Sequence, residues 1–231
     1  MRATITGANL NLDDDGNVEM VIDAGTGIDT LVLKASGGIT TVDLSGAAGS
    51  DQTYGDSVTV SNFENVDASV LLSAQGISII GSAAANIIQG GAGADTIDGG
   101  GGADVINAGG GNDTVTYNGS ETSIDGGAGS DTLILSASAT VTAVNFTVSS
   151  GVDQTTGDTT SVANFENLNA GALSSAITVT GLSSANTITT GSGNDTIDGG
   201  GGADVISAGG GNDSVSYYGN ETSIDGGTGA K

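Results

Sequence analysis

Aspartate recurs in this chain at fixed intervals and in constant company. Asp95, Asp104, Asp113 and Asp131 in the first half, and Asp195, Asp204 and Asp213 in the second, each follow a glycine-rich run. Two places after each stands an aliphatic: Ile97, Ile106, Val115, Leu133, Ile197, Ile206 and Val215. The unit is nine residues, GGxGxDxUx with U a large aliphatic. The first block reads GGAGADTID, GGGGADVIN, AGGGNDTVT, a degenerate YNGSETSID and GGAGSDTLI, from Gly90 to Ile134. The second reads TGSGNDTID, GGGGADVIS, AGGGNDSVS and YYGNETSID, from Thr190 to Asp225. Carboxylates repeated among glycine carbonyls are hard oxygen donors, and their chemistry is the holding of a hard divalent cation.

Such donors must be brought into line by the backbone. Six residues of each unit suit a turn, where glycine enters the left-handed region without a Cβ clash. The remaining three, such as Thr96-Ile97-Asp98, suit a short strand whose middle side chain points inward. If the next unit turns back, two units close one coil of eighteen residues, and neighbouring coils lie about 4.8 Å apart. Ile97, Ile106, Val115, Ile124 and Leu133 then form two inner aliphatic rows, as do Ile197, Ile206, Val215 and Ile224. The same spacing places Asp95, Asp113 and Asp131 in one column, facing Asn86 and Asp104, with failure at Thr122. In the second block Asp195 and Asp213 face Asn186 and Asp204, with failure at Thr222. Like charges about 5 Å apart repel by roughly 1 kcal/mol in water and about 3 at an effective dielectric of 20. Repeated along a column, this outweighs the roughly 1.5–3 kcal/mol that one buried aliphatic per strand supplies. The blocks are therefore expected to need a cation in order to fold.

The nonads resemble the RTX (repeats-in-toxin) family, whose β-rolls bind calcium between adjacent turns and are exported unfolded by type I secretion. The resemblance implies an all-β, right-handed parallel β-roll or β-helix solenoid, with calcium-bound Gly/Asp turns alternating with calcium-free spacer coils. It implies as ligands the Asp carboxylate and the carbonyls at nonad positions one, three and four. In the first block these are Gly90, Ala92, Gly93 and Asp95; Gly99, Gly101, Gly102 and Asp104; Ala108, Gly110, Gly111 and Asp113; and Gly126, Ala128, Gly129 and Asp131. In the second they are Thr190, Ser192, Gly193 and Asp195; Gly199, Gly201, Gly202 and Asp204; and Ala208, Gly210, Gly211 and Asp213. The units at Tyr117 and Tyr217 depart from the pattern, carrying Glu121 and Glu221 one place before the missing Asp. About four to eight calcium ions are expected.

Composition narrows the classes of function. Of 231 residues 27 are acidic and 3 basic, a formal charge of −24, which makes nucleic acid an improbable partner. With no His and no Cys, neither a Ser-His-Asp nor a Cys-His nucleophile system can be assembled within the chain. Paired acids are plentiful, but their regular array explains them better than a glycosidase pair does. No apolar run approaches a membrane span, and residues 1–20 lack a signal-peptide core.

A longer repeat overlies the nonads. Ala24 to Leu33 match Gly126 to Leu135, and Asn62-Phe63-Glu64-Asn65 recurs as Asn164-Phe165-Glu166-Asn167, both at an offset of 102. Residues 1–23 read as the end of a preceding block, since Glu19 and Asp23 lie 102 before Glu121 and Asp125. Module 1 is then 24–125, with spacer 33–80 and block 81–125. Module 2 is 126–231, with a nonad at 126–134, spacer 135–180 and block 181–231. Phe63 and Phe165 are expected to plug the spacer cores, and Tyr117, Tyr217 and Tyr218 to sit on turns or the surface. Asn11 to Gly16 resembles the opening of an EF-hand loop, but position twelve is Ile22.

Three classes of function remain. The first is a calcium-folded structural or adhesive segment of a secreted bacterial surface protein, self-associating or packed on neighbouring repeats. The second is the accessory roll of a type I-secreted enzyme or toxin whose catalytic domain lies elsewhere. The third is ice or carbohydrate binding on a flat threonine array, for which Thr114, Thr116, Thr187 and Thr189 are the candidates.

Overall fold

The computed structural model describes residues 9–12, 18–33, 39–55, 58–71 and 76–229, and every regular element among them is a β-strand. The EF-hand-like stretch falls largely outside these residues. Strands are short because each nonad supplies only the residues after its aspartate. Thr96–Asp98 is one, and it pairs in parallel with Thr114–Tyr117, Thr96 opposite Thr114 and Ile97 opposite Val115. Val105–Asn107 pairs with Ser123–Asp125 in the same way on the other face. Partners stand eighteen residues apart, so two nonads make one coil, as the spacing implies. The chain is an all-β solenoid of stacked, mainly parallel sheets.

The interior is the single file of central strand residues. Ile97, Ile106, Val115, Ile124 and Leu133 are all fully buried, as are Ile197 and Ile206. The expected row does not continue to the last coil. Val215 is only partly buried and Ile224 is 38 % exposed, because no coil among the described residues covers them. Each coil needs a neighbour on both sides to bury its aliphatic.

The spacers are more than plain coils. Thr132–Leu135 pairs in parallel with Asn167–Asn169, Thr132 opposite Asn167, at a separation of 35 residues instead of eighteen. The extra chain folds out as an antiparallel pair, Ala143–Asn145 against Thr155–Thr156, and its counterpart is Thr41–Asp43 against Thr53–Tyr54. Among the described residues a ten-stranded sheet runs through both modules, whereas the opposing face is a six-stranded sheet that reaches Ser161–Ala163 of the second spacer and, beyond it, a five-stranded sheet.

One side chain fixes each spacer. Gln154 is buried, accepts the Phe165 N–H on Oε1 and donates from Nε2 to the Phe165 carbonyl, both at 2.9 Å. Gln52 does the same to Phe63, again at 2.9 Å twice. Both phenylalanines are buried, as expected of core plugs. Tyr117, expected on a turn or the surface, instead ends the strand Thr114–Tyr117 and is 1 % exposed. Its ring fills the junction under the spacer, and its hydroxyl donates to Thr160 Oγ1 at 3.0 Å, so the polar tip is satisfied inside the core. Tyr217 and Tyr218 are exposed as expected.

Gln154→Ala strands a buried N–H and a buried C=O on Phe165. Urea unfolding in saturating calcium should show a loss of about 2–4 kcal/mol, against little change for a surface control such as Ser149→Ala.

Candidate metal centre

Each nonad aspartate is aimed by the turn that precedes its strand, and its first oxygen is taken by the coil below. Asp113 Oδ1 accepts the Asp95 N–H at 2.7 Å, and Asp131 Oδ1 accepts the Asp113 N–H at 2.8 Å. Asp95 Oδ1 receives the Ile77 N–H at 2.8 Å, and Asp104 Oδ1 the Asn86 N–H at 2.8 Å. The second block repeats this: Ile177 to Asp195 at 2.9 Å, Asp195 to Asp213 at 2.9 Å, and Asn186 to Asp204 at 2.8 Å. The columns are thus charge-assisted ladders as well as rows of like charge.

The second oxygen is the informative one. Oδ2 of Asp104, Asp113, Asp131, Asp195, Asp204 and Asp213 is buried without a hydrogen-bond partner. A buried, unpaired carboxylate oxygen costs several kcal/mol unless a cation or donor meets it. At Asp104, Asp113 and Asp131 desolvation is the largest influence, raising the first two to about 6 and Asp131 to about 7 from 3.8. Asp95 differs from the rest, because its Oδ2 accepts the Gly91 N–H at 2.8 Å and both oxygens are engaged.

Backbone carbonyls complete the surroundings. A methyl group built on Gly90 would lie 2.0 Å from the Ala108 carbonyl oxygen and 2.7 Å from Asp95 Oδ2. On Gly99 it would lie 2.6 Å from Asp104 Oδ2, and on Gly199 2.6 Å from Asp204 Oδ2. At these three glycines position one is a cradle for oxygen that a side chain would fill. At position four, Gly93 O and Gly111 O press on Gly111 and Gly129 of the next coil, so both carbonyls face the space between turns. At position three the Ala128 carbonyl already accepts the Gly111 N–H at 2.9 Å, leaving its second lone pair. The position-one carbonyl of Ala208 likewise accepts the Thr190 hydroxyl at 3.1 Å.

Among the described residues no three acidic side chains converge on one point. The donors are instead carboxylates from successive coils together with turn carbonyls. That all-oxygen set suits calcium, which takes six to eight oxygens in adaptable geometry. The ion would be held by the orphaned Oδ2 atoms with the position-one and position-four carbonyls, and its chemistry there is the neutralisation of the column.

The departing units need no ion. Glu121 is buried and folds back on its own turn, receiving N–H groups from Asn118, Gly119 and Ser120 at 2.7, 2.9 and 3.0 Å. Glu221 repeats this with Tyr218, Gly219 and Asn220 at 2.6, 2.8 and 3.0 Å. A further set of acids escaped the sequence reading. Asp98, Asp125, Asp198 and Asp225, at position nine, each accept the N–H two residues on at 2.9–3.0 Å, starting the next turn. Their signal was the Asp-Gly-Gly at each unit boundary, which is the sequence of an Asx-turn.

The raised carboxylates carry a pH consequence. A group whose pKa is higher folded than unfolded stabilises the fold below its unfolded value of 3.8, and that gain is lost as pH rises through 6–7. In chelator, the β signal in circular dichroism should grow as pH falls from 7.5 towards 5. A metal-free signal that is flat or falls over that range would contradict the burial of these oxygens.

Residues 80–115, 123–138 and 180–215 match the family model of the RTX calcium-binding nonapeptide repeat, in four copies. No curated protein matches the chain. The matched stretches are the ones whose aspartates form the ladders above. These stretches of the chain are RTX calcium-binding nonapeptide repeats, stacked as a β-solenoid.

Proposed function

We propose that this chain is a non-catalytic, calcium-folded structural or adhesive segment of a secreted bacterial surface protein, extended by repetition. The observation that carries this reading is the set of six orphaned, buried carboxylate oxygens in two separate blocks. In a cytosol poor in calcium their cost opposes folding and keeps the chain threadable for export. Outside, millimolar calcium binds the folded state alone and shifts the equilibrium by mass action.

The modular plan supports a load-bearing or lattice role. Spacer contacts recur with equal geometry in both modules, as in the Gln52–Phe63 and Gln154–Phe165 clamps. Asn62 Nδ2 donates to Asp23 at 2.7 Å and Asn164 Nδ2 to Asp125 at 2.6 Å. Solenoids of this kind lengthen by adding units with nearest-neighbour contacts only. The last described coil bears on self-association. Tyr117 is 1 % exposed beneath the second spacer, while Tyr217, its counterpart, is 74 % exposed, and Ile224 is exposed as well. A neighbouring repeat or a second copy that covered this face would bury the same residues that the internal junction buries.

Far-UV circular dichroism of the chain, titrated from a chelated start at pH 7.5, tests the reading. A cooperative coil-to-β transition is expected with calcium and not with magnesium. A full β spectrum in chelator, or none at saturating calcium, would remove the folding switch. Sedimentation velocity on the same samples should show larger species in calcium than in chelator; identical distributions would exclude calcium-linked self-association.

A further inference from the structure

The Asn-Phe-Glu turn of each spacer is a shortened copy of the calcium turn, seated on the same column. Between Ser123–Asp125 and Thr132–Leu135 lie six residues, 126–131, forming a nonad turn. Directly above, Ser161–Ala163 and Asn167–Asn169 are joined by three, Asn164, Phe165 and Glu166. The flanking strands are in register, Asp125 opposite Ala163 and Thr132 opposite Asn167. Glu166 therefore stands where the next coil's aspartate would.

Two donors of the full turn are kept. Glu166 Oε2 accepts the Asp131 N–H at 2.8 Å, the same bond that Asp131 Oδ1 makes to Asp113. The Asn164 carbonyl projects onto Gly126, where a methyl group would lie 2.3 Å from it, as the Ala108 carbonyl projects onto Gly90. Asn164 reaches this pose with φ of +60°, in the left-handed region. Its side chain holds it there, accepting the Gly151 N–H at 3.0 Å and donating to Asp125. Below this cover, Asp131 is fully buried and its Oδ2 has no partner.

The first module repeats the glutamate bond, the left-handed asparagine and the register over residues 24–29, with Ala24 where the second has Gly126. Glu64 Oε2 accepts the Asp29 N–H at 2.8 Å, Asn62 has φ of +60°, and Thr30 lies opposite Asn65.

We propose that each junction is a calcium site outside the nonad pattern, with Glu166 and the Asn164 carbonyl closing it over Asp131, and Glu64 and Asn62 doing so over Asp29. The spacer is then bolted to the nonad turn beneath it by an ion, and Glu166 extends the ligand column past the last aspartate of its block. Phe165, between the two, is buried in the hydrophobic core.

This inference rests on calcium binding by the nonads, and one experiment separates the two. The number of calcium ions bound by the full chain is counted by equilibrium dialysis with radioactive calcium, for the unmodified chain and for Glu166→Gln. Glutamine keeps an oxygen for the Asp131 N–H but loses the charge, so a purely structural role for Glu166 leaves the count unchanged. The expected result is one tightly bound ion fewer in E166Q, and two fewer in the double variant with Glu64→Gln. An unchanged count with unchanged affinities overturns the junction site and leaves the nonad sites standing. No bound calcium in the unmodified chain overturns both. If E166Q does not fold in saturating calcium, Glu64→Gln alone carries the same count at the other junction.

Discussion

Everything in this molecule follows from stacking carboxylates one coil apart along a parallel ladder. The eighteen-residue register that buries one aliphatic per strand also sets Asp95 beside Asp113, Asp113 beside Asp131, and Asp195 beside Asp213. The inner rows are thin, a single file of isoleucine, valine and leucine, and cannot alone outweigh buried unpaired oxygens. The structure divides each carboxylate between two tasks. One oxygen secures the coil beneath by a backbone hydrogen bond, and in all but Asp95 the other is buried without a protein partner, so that the stack is completed only by something positively charged.

Backbone polar groups explain why the turns are so rich in glycine. A carbonyl from one coil falls on the Cα of the coil beneath at distances that leave no room for a methyl group, as at Gly81, Gly90 and Gly126. Glycine is required there for close approach as much as for its freedom of φ. Oxygen atoms are thereby crowded into the space between turns, which a cation turns from a cost into a source of cohesion. Where the chain gives up the aspartate, at Glu121 and Glu221, it supplies three N–H groups to the replacement carboxylate. The charge is then met by the backbone and no ion is called for.

The spacers solve a different problem. A stack of identical coils has no internal means of ending a block, yet the tyrosine units must be covered. The spacer supplies the cover for Tyr117 with Thr160, returns the chain to register through the Asn-Phe-Glu turn, and changes which sheet forms the opposing face. The Asp95–Asp113–Asp131 column consequently continues through Glu166 and Asn186 to Asp204, which heads the other column of the second block when that block is read alone.

By itself the sequence determined the coil. A nine-residue period with one aliphatic and one aspartate per unit leaves no other way to bury the first and align the second, and the strands, the inner rows and the ladders lie where that period puts them. It also marked Phe63 and Phe165 as core, since they are isolated aromatics in alternating stretches. Tertiary structure alone decided what depends on contacts between distant units. Tyr117 and Tyr217 occupy equal places in equal repeats, yet one is buried and the other exposed, because among the described residues only the first has a spacer above it. The period could not reveal Glu166 as the heir of the aspartate column either. A three-residue turn replaces six there, and the 35-residue detour that precedes it breaks the arithmetic by which columns are read from a sequence.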